Sequence, residues 1–250
     1  MSERPSAFYS RDGERFVPTG LGVSPWNPKA QLGVALAGLV GQTIDAVPTI
    51  TPMITARLTI DILGAIPLEP LTTEVRVLRE GKRMQTLEVR LLTGDKPVVH
   101  ATTLRLRQGS SPEAPPPLAH SLPGAGADVD PQPWFDSVRL VGDYHTPGPG
   151  STWTRFTAEV IAGEPLSPMA RMAMIADYSA GTAPLLPLRE WTLANLDIAV
   201  YMTREPVGDW LLVEAESEGT GTGIGISRGR IGDERGMFGT SLQTVFLDRR

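Results

Sequence analysis

A chain of 250 residues, 41% hydrophobic and 20% charged, has the composition of a soluble globular protein of one large domain or two ordinary ones. A net charge of −5 with no basic block argues against nucleic acid, whose phosphates need clustered Lys and Arg. The absence of cysteine excludes disulfides, thiol catalysis and cysteine-based metal sites.

The N-terminal stretch has no apolar core of signal-peptide length, and residues 1–15 read as an arm or a first edge strand. The most apolar run, Leu32 to Val40, is short and carries two glycines, so it does not span a bilayer. A cytoplasmic protein without membrane contact is expected. Phe16 to Val23 reads as a short β segment. Ala30 to Val47 reads as a helix, since Leu32, Ala35, Leu36, Leu39, Val40, Thr43 and Ile44 recur at i, i+3, i+4. Gly33, Gly38 and Gly41 lower its propensity and suggest close packing against a sheet.

From Ile54 the period falls to two. Strands are expected at Thr55–Ile62, Glu69–Glu80, Met84–Thr93 and Val98–Arg107, with turns at Gly81-Lys82 and Gly94-Asp95. Gln108 to Pro133 then holds seven prolines and reads as an extended linker. Beyond it, strands are expected at Val138–Tyr144 and Trp153–Val160. A core helix starts at Ser167-Pro168, an N-cap followed by a proline suited to the first turn. It is apolar nearly all round, with Met169, Met172, Ala173, Ile175 and Ala176, and is expected to stop between Asp177 and Gly181. The methionines read as core. A carboxylate on such a helix is costly to bury and needs a partner or a task. Strands at Leu193–Met202, Trp210–Glu218, Gly223–Ile231 and Gly239–Leu247 complete the chain.

The second half repeats the first. An ungapped slide of 138 residues puts Leu58 on Leu196, Ile60 on Ile198, Val75 on Val213, Gly81 on Gly219, Arg90 on Arg228 and Gly94-Asp95 on Gly232-Asp233. Inward residues and turn residues coincide together, which points to two copies of one helix-plus-meander unit. The expected fold is α+β, a double hotdog in which each long helix lies on a curved antiparallel sheet. The units are residues 1–107 and 134–250, joined by 108–133.

Ala162-Gly-Glu-Pro-Leu-Ser-Pro168, Ala176-Asp177, Asn195-Leu-Asp197, Arg204-Glu-Pro-Val-Gly-Asp-Trp210, Gly223-Ile-Gly225, Asp233-Glu-Arg-Gly236 and Gln243 together resemble the C-terminal half of the thioesterase-like superfamily. Its better-known members are acyl-CoA thioesterase II enzymes. Trp26-Asn-Pro28 and Ala30-Gln31 resemble the same family's helix entry. The resemblance implies hydrolysis of an acyl-CoA thioester by a water held among an Asp, a hydroxyl residue and a Gln. By motif these fall on Asp177, Asn195 and Gln243. Asn195 departs from the hydroxyl but can still hold a water through donor and acceptor. Many relatives carry His-Gly-Gly-Pro where this chain has Leu32-Gly33-Val34-Ala35, which alters the oxyanion donors or the entrance.

That chemistry stands on its own terms. Thioester hydrolysis needs a held water, a base, and donors for the developing oxyanion. Asp177 could be the base, and the helix start around Gln31 to Val34 of the other unit could supply the donors. In the 138-residue register Asn195 pairs with Arg57 and Gln243 with Arg105, and Asp177 falls near Gln42 once three loop residues are allowed. One site per chain follows. Blander readings stay open: Asp177 tying the helix end to a strand, Asn195 serving a turn, and Asp197 as an alternative acid. His100, His120 and His145 show no metal-ligand spacing, and neither helix holds the His of a hotdog dehydratase. There is no Gly-x-Ser-x-Gly elbow. No cofactor or metal is expected. The partner is an acyl-CoA substrate, and a homodimer or larger homo-oligomer fits the sheet edges and the family. The alternatives are a non-catalytic acyl-CoA or lipid-binding protein, and a structural oligomer.

Overall fold

The structure, a computed structural model, describes residues 6–112 and 120–249; the part of the proline-rich run at 113–119 lies outside them. The first half forms β1 (Ala7–Asp12), β2 (Arg15–Pro18), α1 (Gly33–Asp45), β3 (Met53–Ile62), β4 (Leu71–Glu80), β5 (Met84–Thr93) and β6 (Lys96–Arg107). The second half forms β7 (Asp130–Pro131), β8 (Phe135–Val141), β9 (Gly150–Phe156), β10 (Glu159–Ile161), α2 (Pro168–Thr182), β11 (Trp191–Asn195), β12 (Asp197–Met202), β13 (Leu211–Gly219), β14 (Ile224–Asp233) and β15 (Gly236–Arg249). The strands form one sheet in the order β10-β1-β2-β4-β5-β6-β3-β12-β15-β14-β13-β9-β8-β7, with β11 also on β15. Every pairing is antiparallel except β1 with β10. So β1 is paired on both sides and is not an edge strand.

The duplication is real, but its register is 140 residues rather than 138. A bulge follows Leu91 in the β5–β6 hairpin and Ile231 in the β14–β15 hairpin. The turns between those strands lie at Gly94-Asp95 and Glu234-Arg235, again 140 apart. The two halves join where β3 meets β12, and there Thr59 faces Ala199, its own counterpart. An approximate two-fold axis therefore passes through that pair. The match of Gly94-Asp95 to Gly232-Asp233 was a coincidence of turn-like residues, since Gly232 and Asp233 end β14 at the bulge. In the corrected register Asn195 corresponds to Thr55 and Gln243 to Thr103. Neither is a carboxamide, so the first half still lacks the polar set.

Both helix boundaries differ from the expectation. α1 begins at Gly33, because Ala30 and Gln31 are drawn into bridges with Pro67 and Val23. The Gln31 amide also donates to the Pro67 and Glu69 carbonyls and accepts from the Tyr9 hydroxyl. α2 keeps its expected start, with Ser167 accepting from the Ala170 N–H and Pro168 in the first turn. It continues to Thr182, so Asp177 lies inside the helix and does not cap its end. The hydroxyls of Ser179 and Thr182 bond back to the Ile175 and Tyr178 carbonyls, which lets these polar residues stay helical.

The glycines of α1 face the other helix, and Gly38 also packs against Val160 on β10 of the sheet. A Cβ at Gly41 would sit 2.6 Å from Cα of Ala170, and one at Gly38 would lie 3.1 Å from Met174 Sδ. The helices run antiparallel, so the start of α1 meets the C-terminal half of α2. Met169, Met172 and Met174 are fully buried in the shared core and pack as core residues. The expected strand 153–160 is broken between β9 and β10, where the Thr157 and Ala158 N–H groups turn to the Trp134 carbonyl. The expected strand 193–202 is broken at Leu196.

The Arg204–Trp210 and Asp233–Gly236 motifs meet in a clamp. Asp233, fully buried, accepts two bonds from the Arg204 guanidinium at 2.5 and 2.6 Å and two more from the Val207 and Arg235 N–H groups. Removing one partner of such a pair leaves a buried charge unmatched. Arg204→Ala, which strands the Asp233 carboxylate, is expected to lose about 3–5 kcal/mol of stability in urea unfolding.

Candidate active site

Asp177, Asn195 and Gln243 converge, although they come from α2, β11 and β15. Asn195 Nδ2 donates to the Asp177 carboxylate and to the Asp177 carbonyl, both at 3.1 Å. Gln243, 1% exposed, donates from Nε2 to the Ala176 carbonyl at 2.8 Å and the Asp177 carbonyl at 3.1 Å. Its Oε1 accepts from the Ala180 N–H at 3.1 Å. Ala176 carbonyl and Ala180 N–H are an i, i+4 helical pair, so the Gln243 amide engages both ends of one helical bond. Its donors are spent on the α2 backbone, which fixes the turn that carries Asp177. Asp197, the other acid considered, instead accepts from the Thr244 N–H.

The Asp177 side chain lies against the start of α1. A Cβ on Gly33 would fall 3.1 and 3.3 Å from its two carboxylate oxygens, so glycine is what allows the approach. Leu32, the N-cap of α1, has no side-chain acceptor for the first N–H groups. The mirror-related place is closed. α2 begins with Pro168 and is capped by Ser167, and Asp45 accepts from the Met169 N–H. Gln42, the counterpart expected for Asp177, holds the Ser167 N–H and the Pro165 carbonyl. Arg105 ties down the end of α1 through the Ile44 and Val47 carbonyls. One helix start is therefore open and faces a carboxylate; the other is sealed. Sequence reasoning found the open start through the Leu32–Ala35 motif. It missed Asp45, whose sealing role depends on the helix pairing.

Burial pushes the Asp177 carboxyl up to about 6, against the opposing pull of the Asn195 hydrogen bond. Asp177 is only 7% exposed. A carboxylate in that range is both ionised at neutral pH and basic enough to take a proton from water. Among the described residues no group of His, Cys, Asp and Glu is arranged to hold a metal ion. Among the described residues no helix is long and apolar enough to cross a membrane.

Two helix-and-sheet units sharing one sheet, with one polar site where the helices meet, define a double-hotdog protein. Solved structures agree in fold. A putative thioesterase II from Thermobifida fusca aligns with TM-score 0.75 and 14% identity over 98% of this chain and 96% of that one. A hot dog-fold protein of unknown function from Alicyclobacillus acidocaldarius gives 0.72 and 18% over 98% and 97%. An acyl-CoA thioesterase II from Mycobacterium marinum gives 0.65 and 19% over 88% and 90%. No curated protein sequence matches. The chain belongs to the acyl-CoA thioesterase family: the family's C-terminal domain matches residues 110–247 and its N-terminal domain residues 23–106. It is thus a thioester hydrolase by family.

Proposed function

We propose that the chain hydrolyses acyl-CoA thioesters with Asp177 as general base, at one site per chain between units 1–107 and 134–250. The observation that carries this reading is a buried carboxylate set against the open start of the other unit's helix. A water held beside Asp177 and the free carbonyl oxygen of Asn195 attacks the thioester carbon, and Asp177 takes its proton. Negative charge then develops on the thioester oxygen, where the Gly33 and Val34 N–H groups and the positive helix end stabilise it. The C–S bond breaks, and the proton returns from Asp177 to the departing thiolate. Gln243 is a positioning residue that acts through the α2 turn. The cluster of Ala180, Val245 and Leu247, with Leu185, Leu186 and Leu193 packed against it, borders this turn and forms the wall for the acyl chain. A cytoplasmic setting supplies such substrates.

Thiol release measured across acyl-CoA chain lengths and pH tests the proposal. Because Asp177 must be ionised to act as base, kcat/KM should rise about tenfold per pH unit below about 6 and level off above it. A profile flat through pH 5–7, or tight binding without turnover at any chain length, overturns it.

A further inference from the structure

Arg139, on β8, is a cation with no ion-pair partner among the described residues. Its Nη1 donates to the Thr182 carbonyl at 2.9 Å, at the C-terminal end of α2, where positive charge suits the helix dipole. Gly150 makes room for this reach: a Cβ there would overlap the Thr182 carbonyl oxygen and crowd Nη1. The guanidinium carbon also lies 3.9 Å from the centre of the Tyr144 ring. Those contacts account for one nitrogen and one face. Nε and Nη2 remain, closed to solvent and without a hydrogen-bond partner. The ion pairs among the described residues leave Arg139 out. Asp130, the acid that shares the surroundings of Tyr178 with Arg139, accepts from Gln132 instead.

The two unused groups are not scattered. Nε–H and Nη2–H point the same way along one edge of the guanidinium, the side-on fork that fits two oxygens of a carboxylate or phosphate. A buried fork left unmatched is costly unless something arrives to use it.

Tyr144 covers one face of the arginine from a segment flanked by two glycines. Gly142 and Gly148 both have positive φ, +72° and +144°. Asp143 knits the segment together by accepting from the His145 and Thr146 N–H groups. A 2.5 Å bond from the Tyr178 hydroxyl to the Tyr144 hydroxyl ties it to the core, and the Gly148 N–H at its flank donates to the Pro184 carbonyl at 3.1 Å. Tyr178 is the residue after Asp177, so this cover is anchored on the helix that carries the base.

We infer that Arg139 is an oxyanion-binding residue: residues 143–147 swing out, and the Nε–H and Nη2–H fork grips an oxyanion carried by the substrate. The inference rests on the acyl-CoA reading above. The oxyanion is either a carboxylate at the far end of the acyl group or a phosphate of CoA, and the chemistry is the same for both.

Three thioesters separate the sources: hexanoyl-CoA, adipoyl-CoA and the phosphate-free hexanoyl-pantetheine. With Arg139→Gln, a tenfold or larger rise in KM for both CoA esters, with hexanoyl-pantetheine unchanged, identifies the phosphate. The same rise for adipoyl-CoA alone identifies the acyl carboxylate. In either case kcat should hold within twofold. Arg139→Lys keeps the charge at the helix end but has no side-on fork, so it should show the same selective rise. If either variant leaves all three KM values alone, or raises all three alike, Arg139 is structural and the inference is overturned. Should the wild type hydrolyse none of the three, the hydrolase reading fails by itself. Dissociation constants for the same compounds, measured by calorimetry, then decide on Arg139 by the same pattern.

Discussion

The Asp177→Asn variant should lose about a thousandfold or more in kcat/KM for acyl-CoA while becoming more stable at neutral pH. The loss follows from the general base: asparagine keeps the shape and the contact with Asn195 but cannot take a proton, and such groups contribute roughly 10²–10⁴-fold. The gain in stability follows from the same burial. The folded carboxyl titrates near 6 and the unfolded one near the ordinary aspartate value of 3.8. Below about pH 4 both states hold the proton and stability is complete. Between pH 4 and 6 the unfolded chain ionises first, so stability falls as pH rises and is flat above. The gap corresponds to about 3 kcal/mol, an upper estimate of what ionised Asp177 costs at pH 8. Urea unfolding of both proteins at pH 4 and pH 8 checks the sign: the variant's advantage should appear at pH 8 and vanish at pH 4. Retained activity would remove Asp177 from the chemistry. Lost activity without the pH-dependent gain would make its burial uneventful and weaken the account of how it became a base.

Much of this site was readable before any coordinates. The apolar helix with a single carboxylate announced a group that needed a reason, and period-two segments around glycine turns announced the meanders. Two things were not readable. The first was the register of the duplication. Turn-like pairs such as Gly94-Asp95 and Gly232-Asp233 match by composition, whereas the true equivalence is set by bulges after Leu91 and Ile231, which leave no residue signature. The second was the division of labour among the three polar residues. From residue type alone Gln243 and Asn195 look alike. Only the geometry shows one spending its amide on the Ala176–Ala180 turn and the other reaching the carboxylate itself. The α2 boundary failed for a related reason: Gly181 is a sound stop signal locally, and the tertiary bonds to Gln243 and the neighbouring hydroxyls overrode it.

Gly41 should tolerate no side chain, and the consequence should reach the site. A Cβ at this position would sit 2.6 Å from the Ala170 backbone, and backbone inside a helix cannot step aside as a flexible side chain can. Gly41→Val therefore has to push α1 and α2 apart. The expected cost is about 3 kcal/mol, at the upper end for overpacking, even though valine favours the helix over glycine. Gly181→Ala is the matched control. Its Cβ would meet only Tyr178 ring carbons at 3.8 Å, an ordinary contact, so replacing a helical glycine there should be neutral or stabilise by up to about 1 kcal/mol. Activity distinguishes a local defect from a shift of the helices. The gap between the Asp177 carboxylate and Gly33 is set two turns from Gly41 along α1, by the same helix pair. Separating the helices should move the base away from its oxyanion donors and cut kcat/KM at least tenfold in protein that is still folded by circular dichroism. A Gly41→Val enzyme that is destabilised yet fully active would show that the donors do not come from α1, and the site would then have to be assembled from α2 and the sheet alone.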